Sequence, residues 1–120
     1  MHETMLEKAR EVGRLLGQTE EYRALERARQ RLNEDREAVE LLNRLGQLER
    51  ELGVSLQRGE QPADETQREY EELASRLQSG PVYQGVVAAQ SNFDRLLQKV
   101  NEEMGAGIET GAKSSIIMPS

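Results

Sequence analysis

Apolar side chains recur every third or fourth residue from Met5 to Met104, with polar residues filling the positions between them. The stripe reads Met5, Ala9, Val12 and Leu16, then Leu25, Ala28 and Leu32, then Ala38, Leu41, Leu45, Leu48, Leu52 and Leu56. It resumes as Tyr70, Leu73 and Leu77 and ends as Val82, Val86, Ala89, Phe93, Leu97, Val100 and Met104. Spacing of this kind returns each side chain to one face of a helix, whereas a strand needs strict alternation, which no window shows. The pattern predicts an all-α protein.

Breaks in the stripe divide it into about five helices. The first covers 3–16 and stops at Gly17; Thr19 then caps a second that runs to Leu32, with Glu20 and Glu21 at the positive end of its dipole. Asp35 caps a third over 36–58, the longest and most regular. Gly59-Glu60-Gln61-Pro62 is the clearest turn, with Gly59 closing one helix and Pro62 suited to the first position of the next, predicted over 63–78. Ser79-Gly80-Pro81 repeats that chemistry before a fifth helix over 82–104. The expected architecture is an antiparallel helical hairpin or bundle with long central helices, its arms folded about Gly59–Pro62 and each bent at its own break. One helical domain is expected over 1–106. Residues 107–120, with scattered Gly and no period, read as a flexible C-terminal tail, and Ile116-Ile117-Met118 within it as either an unstructured end or a short docking motif.

At an offset of forty-five residues, Leu25, Ala28 and Leu32 fall on Tyr70, Leu73 and Leu77, and the Asp35 break falls on Gly80. Heptad-like stretches slide into such agreement easily, so duplication and coincidence both stand.

Composition narrows the picture to a thin assembly. Only 36% of residues are apolar, with no Trp, one Phe and three Tyr, so fifteen leucines carry the packing. Narrow stripes bury well only against neighbouring helices. Two places are broader than one stripe: Val39, Leu41, Leu42 and Leu45, and Val86 through Ala89 with Leu96 and Leu97. A helix with such breadth needs two neighbours, which predicts a homodimer or an oligomer with paralogues. Val39, Leu42, Leu45, Val86, Val87, Phe93 and Leu97 are the candidate interface residues.

A net charge of −6 disfavours non-specific contact with nucleic acid or an anionic membrane. The longest uninterrupted apolar run, Val86–Ala89, is far too short to span a bilayer, so no membrane insertion is expected. With no Cys and no leader-like N-terminus, the chain reads as cytoplasmic.

Candidate chemistry is sparse. The one histidine, His2, stands near the N-terminus with Glu3, short of the three or four ligands a metal needs. No Glu-x-x-His occurs for a carboxylate-bridged di-iron site, and no serine has a histidine base or cysteine relay beside it. Carboxylate pairs such as Glu71-Glu72 arise freely among 22 acidic residues, and no phosphate-binding Gly-rich loop opens a helix. No catalytic residue, cofactor or metal site is predicted. One charge pattern exceeds noise: Arg23, Arg27 and Arg31 form a row on the second helix, and Glu65, Glu69 and Glu72 a row on the fourth. These rows either meet, within the fold or across subunits, or are two independent solvated faces.

Taken in order, Thr19-Glu-Glu-Tyr22, Asn33-Glu-Asp35-Arg36-Glu37-Ala38 with Leu41-Leu42, Gly59-Glu-Gln-Pro62 and Phe93-Asp-Arg-Leu96-Leu97-Gln-Lys-Val100-Asn101 resemble the YlbF/YmcA family of small bacterial helical regulators over about 4–104. Arg36 stands where the family usually has proline. The resemblance implies an all-helical protein without known catalytic residues that dimerises or joins paralogues and acts with other regulatory proteins. It implies influence on competence, biofilm formation or sporulation through mRNA turnover. Some complexes of that family carry Cys-ligated iron–sulfur clusters, an activity this Cys-free chain cannot supply. The expected function is that of a non-enzymatic regulatory adaptor working through helix-mediated protein interaction, the alternative being a structural or chaperone-like coiled-coil module.

Overall fold

Helix ends in this chain are set by side-chain caps where the sequence supplies them. In the computed structural model, which describes residues 1–117, Thr19 Oγ1 accepts a hydrogen bond from Tyr22 N–H at 3.2 Å and donates to the Leu16 carbonyl at 2.7 Å. One side chain thus closes α1 (His2–Gly17) and opens α2 (Glu20–Glu34). Asp35 interrupts the chain for a single extended residue and accepts from Ala38 N–H at 2.9 Å, starting α3 (Arg36–Gln57). Asp35→Ala is expected to cost about 1 kcal/mol, because one amide of the first turn loses its partner. Urea denaturation should show a lower midpoint with an unchanged slope.

Gly59 ends α3 with φ +71°, a conformation that costs glycine nothing. Its N–H donates to the Leu56 carbonyl, and Glu60 N–H reaches back to Ser55, the paired bonds of a Schellman close. The next helix, α4 (Asp64–Ser79), begins after Ala63. Pro62 therefore precedes the N-cap instead of opening the helix as the sequence suggested. Pro81 does take the first position of α5 (Pro81–Ile117), where its missing N–H leaves nothing unpaired.

All five elements are helices, and no strand occurs among the described residues. Arm one is α2–α3, arm two is α4–α5; α3 packs along α4 and α2 along α5. Both pairs are antiparallel: Tyr22 meets Phe93 and Arg29 meets Gln90, while Arg44 meets Glu69 and Glu49 meets Tyr70. Two core clusters result. One holds Ala38, Leu41, Leu45 and Leu77 with Tyr70, Leu73 and Tyr83 around them; the other holds Leu25, Ala28 and Ala89 with Val86 and Phe93. At the forty-five-residue offset Leu25, Ala28 and Val86 of one cluster correspond to Tyr70, Leu73 and Leu41 of the other. Three core positions of one cluster thus fall on three of the other, whereas Ala89 falls on Arg44 and Leu45 on Gln90.

The molecule measures 69 × 38 × 22 Å, and its radius of gyration of 21.8 Å far exceeds the roughly 14 Å of a compact chain of this length. Extension comes from the two ends that project past the paired arms. Helix α1 touches little beyond α2 and buries none of its residues. Helix α5 does not stop at Met104 but continues to Ile117, so the expected unstructured run from 107 is helical as far as it is described. Glycines at 105, 107 and 111 lower helix propensity by about 1 kcal/mol each relative to alanine without removing backbone donors. No proline interrupts the ladder before Pro119. Ile116 and Ile117 lie in the last helical turn; Met118 falls outside the described residues.

Candidate docking surfaces

Every residue expected at an interface has a definite place in the fold. Leu45 is 8% exposed in the internal cluster with Ala38, Leu41 and Leu77, where Tyr70 and Leu73 of α4 pack against it. Val86 and Phe93 pack against the Leu25 cluster, and Leu97 is half-buried. Val39 is half-buried, whereas Leu42 and Val87 are exposed, at 37% and 51%. The breadth seen in the sequence is thus mostly met inside the chain by the opposite arm, with Leu42 and Val87 more exposed. Those two positions are themselves related by the forty-five-residue offset.

The charged rows do not meet within the chain, because α2 packs on α5 and α4 on α3. Arg27 bonds Glu20 on its own helix at 2.6 Å, and Glu72 bonds Arg76 one turn on. Glu69 instead receives two bonds from Arg44 of α3, at 2.7 and 2.9 Å, a bidentate fork across the hairpin. Nothing in the row spacing pointed to Arg44, since a pair twenty-five residues apart depends on the register of the arms. The Arg44 hydrogen bonds hold the Glu69 carboxyl below its ordinary range, and Glu69 in turn raises Arg44. A carboxylate lowered in the folded state stabilises fully above its unfolded pKa and ceases to do so as pH falls through its folded value. Thermal melts from neutral to acidic pH should therefore lose this contribution below the usual carboxylate range, and Arg44→Gln should flatten that part of the profile. Accepting from Tyr70 Oη at 3.1 Å, Glu49 raises the phenol, with no consequence near neutrality.

A further bare apolar surface lies elsewhere. A groove of about 700 Å³ opens between α1 and α5, lined by Met1, Thr4, Met5, Lys8, Ala9, Val12 and Met104. Met5 is 58% and Met104 55% exposed, and Ile108 continues the α5 stripe one turn further at 72%. Leu6 and Leu15, at 54% and 52%, stand outside the groove on α1. At about 100° per residue they fall roughly 90° to either side of the Met5–Val12 seam, so nearly half of the helix circumference is apolar. The sequence held this signal: the breadth argument that singled out α3 and α5 applies equally to α1.

This surface has no reactive inventory. No group of three or more His, Asp or Glu side chains converges as a metal site among the described residues, and no helix there is long and apolar enough to cross a membrane. A thiolate-held iron–sulfur cluster does not fit a donor set without Cys. What the groove can do is exclude water against another apolar helix, each fully covered Met, Leu or Val contributing about 1.5–3 kcal/mol.

The family model described as control of competence regulator ComK, YlbF/YmcA, matches residues 5–109. UPF0342 proteins of Limosilactobacillus reuteri, from strain DSM 20016 and from subsp. reuteri strain JCM 1112, are each 25% identical over 101 residues, spanning 84% of this chain and 82% of theirs.

Proposed function

This chain belongs to the YlbF/YmcA family, and we propose that it is a non-enzymatic regulatory adaptor whose activity is the docking of its helices on other proteins. The observation that carries the reading is a contrast within one molecule. Leu25 and Leu48 are sealed to 1% exposure, yet Leu42 at 37%, Val87 at 51% and Met5 and Met104 of the α1–α5 groove, each above 50%, stay exposed. A fold able to bury its leucines so fully has no packing reason to leave others in water, and bare apolar patches on soluble proteins mark contact sites. The family description supplies the regulatory setting, control of the competence regulator ComK, and a role upstream of mRNA turnover fits an adaptor that brings other proteins together.

Affinity purification of the full chain from its native host, followed by mass spectrometry, tests the reading. The wild type should recover a defined partner in fixed stoichiometry. Leu42→Glu with Val87→Glu should lose that partner while keeping the helical circular dichroism of the wild type, since both sites face solvent. General suppression of aggregation of unrelated proteins, without a defined partner, would instead make the chain a chaperone-like module. Recovery of neither would end the proposal.

A further inference from the structure

We infer that α1 is a strap that closes over the projecting end of its own α5, swinging about Gln18 and Thr19 until Val12, Ala9 and Met5 lie on Met104, Gly107 and Gly111. Closure withdraws Met5 and Met104 from the surfaces on offer to a partner and leaves Leu42 and Val87. That consequence rests on the adaptor reading, whereas the closure itself rests on packing alone.

Register makes α5 the seat. Met104, Gly107 and Gly111 follow Phe93, Leu96 and Val100 by eleven residues each, about three helical turns, so they prolong the face that α5 turns to α2. On that face Phe93 meets Tyr22, and Ala89 is buried with Ala28. Running the same antiparallel register back through α1 brings Val12 near Met104, Ala9 near Gly107 and Met5 near Gly111. Part of this arrangement already stands, since Met5, Ala9, Val12 and Met104 line one groove. Residue size agrees. A Cβ added at Gly107 or Gly111 would meet nothing within 4 Å, so the open arrangement has no need of glycine there. Glycine weakens a helix, and what it supplies in return is room for a second backbone, as alanine does at 28 and 89. Helix α1 is free to make the movement: it buries none of its residues, and only Gln18 and Thr19 separate it from α2. Hinges need no more than a few residues whose backbone angles change. The tether also favours α1 over any other apolar helix. So short a linker presents α1 to α5 at an effective concentration on the order of millimolar, above that of a free helix at micromolar concentration. Glu3, Glu7 and Glu11 balance Lys8, Arg10 and Arg14, so α1 approaches an acidic body without net repulsion.

The test uses the full chain, whose lack of Cys makes any introduced pair unique. Ala9→Cys/Gly107→Cys, oxidised at micromolar concentration, should form a disulfide within one chain, which requires Cα atoms within about 7 Å. Mass spectrometry reads it as the loss of two hydrogens, and a non-reducing gel shows no linked pair of chains. Glu7→Cys/Gly107→Cys, with its first thiol on the opposite face of α1, should link at least tenfold more slowly. Equal rates for the two pairs, or links formed between chains, would overturn the inference; the second result would mean that another copy fills the groove. Hydrogen exchange supplies a readout without thiols. Gly107→Leu improves the helix propensity of α5 but blocks the seat, so it should lower amide protection along α1 at least tenfold while residues 20–34 keep theirs. Gly107→Ala should stay near wild type. Protection of α1 that ignores Gly107→Leu would also overturn the strap, because a helix standing free does not sense bulk on α5. Circular dichroism establishes that each variant keeps its helices. Loss of the regulatory partner is read separately at Leu42 and Val87, so failure of the adaptor reading and failure of the strap remain distinguishable.

Discussion

Leu25→Ala is expected to remove about 3 kcal/mol of folding stability, within the 2–5 kcal/mol span of buried leucine truncations. Leu25 is 1% exposed and lies among Ala28 and Ala89, with Val86 and Phe93 over it. Truncation loses the transfer free energy of the side chain and leaves a cavity that two rigid helices refill poorly, since α2 and α5 are held apart by the rest of their interface. In a protein this thin there is no second layer to slump inward. The melting temperature should fall by roughly 10 °C. Leu48→Ala, at the same exposure on α3, should match it. Leu56→Ala, with 71% of its surface in water, should stay within about 0.5 kcal/mol of the wild type. A Leu25→Ala protein as stable as the Leu56→Ala control would mean that α2 and α5 are not packed as described.

Ala28→Phe is expected to cost 1–3 kcal/mol by overfilling instead of emptying the same interface. Ala28 and Ala89 are buried together at 9% and 8% exposure, and their small size is what lets the two backbones approach. A phenyl ring at 28 drives α2 off α5. The Arg29–Gln90 hydrogen bond at 2.9 Å and the tilted Tyr22–Phe93 pair, with ring centroids 5.4 Å apart, lie on the same interface and should be lost with it. Near-ultraviolet circular dichroism of the tyrosines should therefore change along with stability. Ala88→Phe, one residue from Ala89 and facing solvent, is the control and should leave both measurements near wild type. Equal effects at 28 and 88 would show that alanine at 28 is not a spacing requirement.

The shared lesson of these substitutions is that alanines can matter as much as leucines, and the sequence pattern weights them differently. Ala28 and Ala89 stood on the stripe as weak apolar positions; their role as contact points follows only from α5 lying against α2. The same pairing explains the charge rows. Spacing leaves open whether the Arg23, Arg27, Arg31 row meets the Glu65, Glu69, Glu72 row; within the chain the hairpin opposes α4 to α3, so Arg44 is the guanidinium that Glu69 meets.

Local chemistry by itself determined the helices, their order and their stops. Caps at Thr19 and Asp35, left-handed Gly59 and Pro81 act over three or four residues, and hydrogen bonds of that reach are written in adjacent letters. Periodicity likewise foretold two arms folded about Gly59 and bent at Asp35 and Gly80, because a stripe states which face is apolar. It does not state which apolar face covers which. Only the tertiary arrangement showed that Leu45 packs against the second arm and Val86 and Phe93 against the first, that α5 runs on past Met104, and that Met5 and Met104 are left more than half exposed. Burial is a property of what stands opposite a residue, and in a hairpin of long helices the opposite residue is set by register, summed over both arms, and not by near neighbours in the chain.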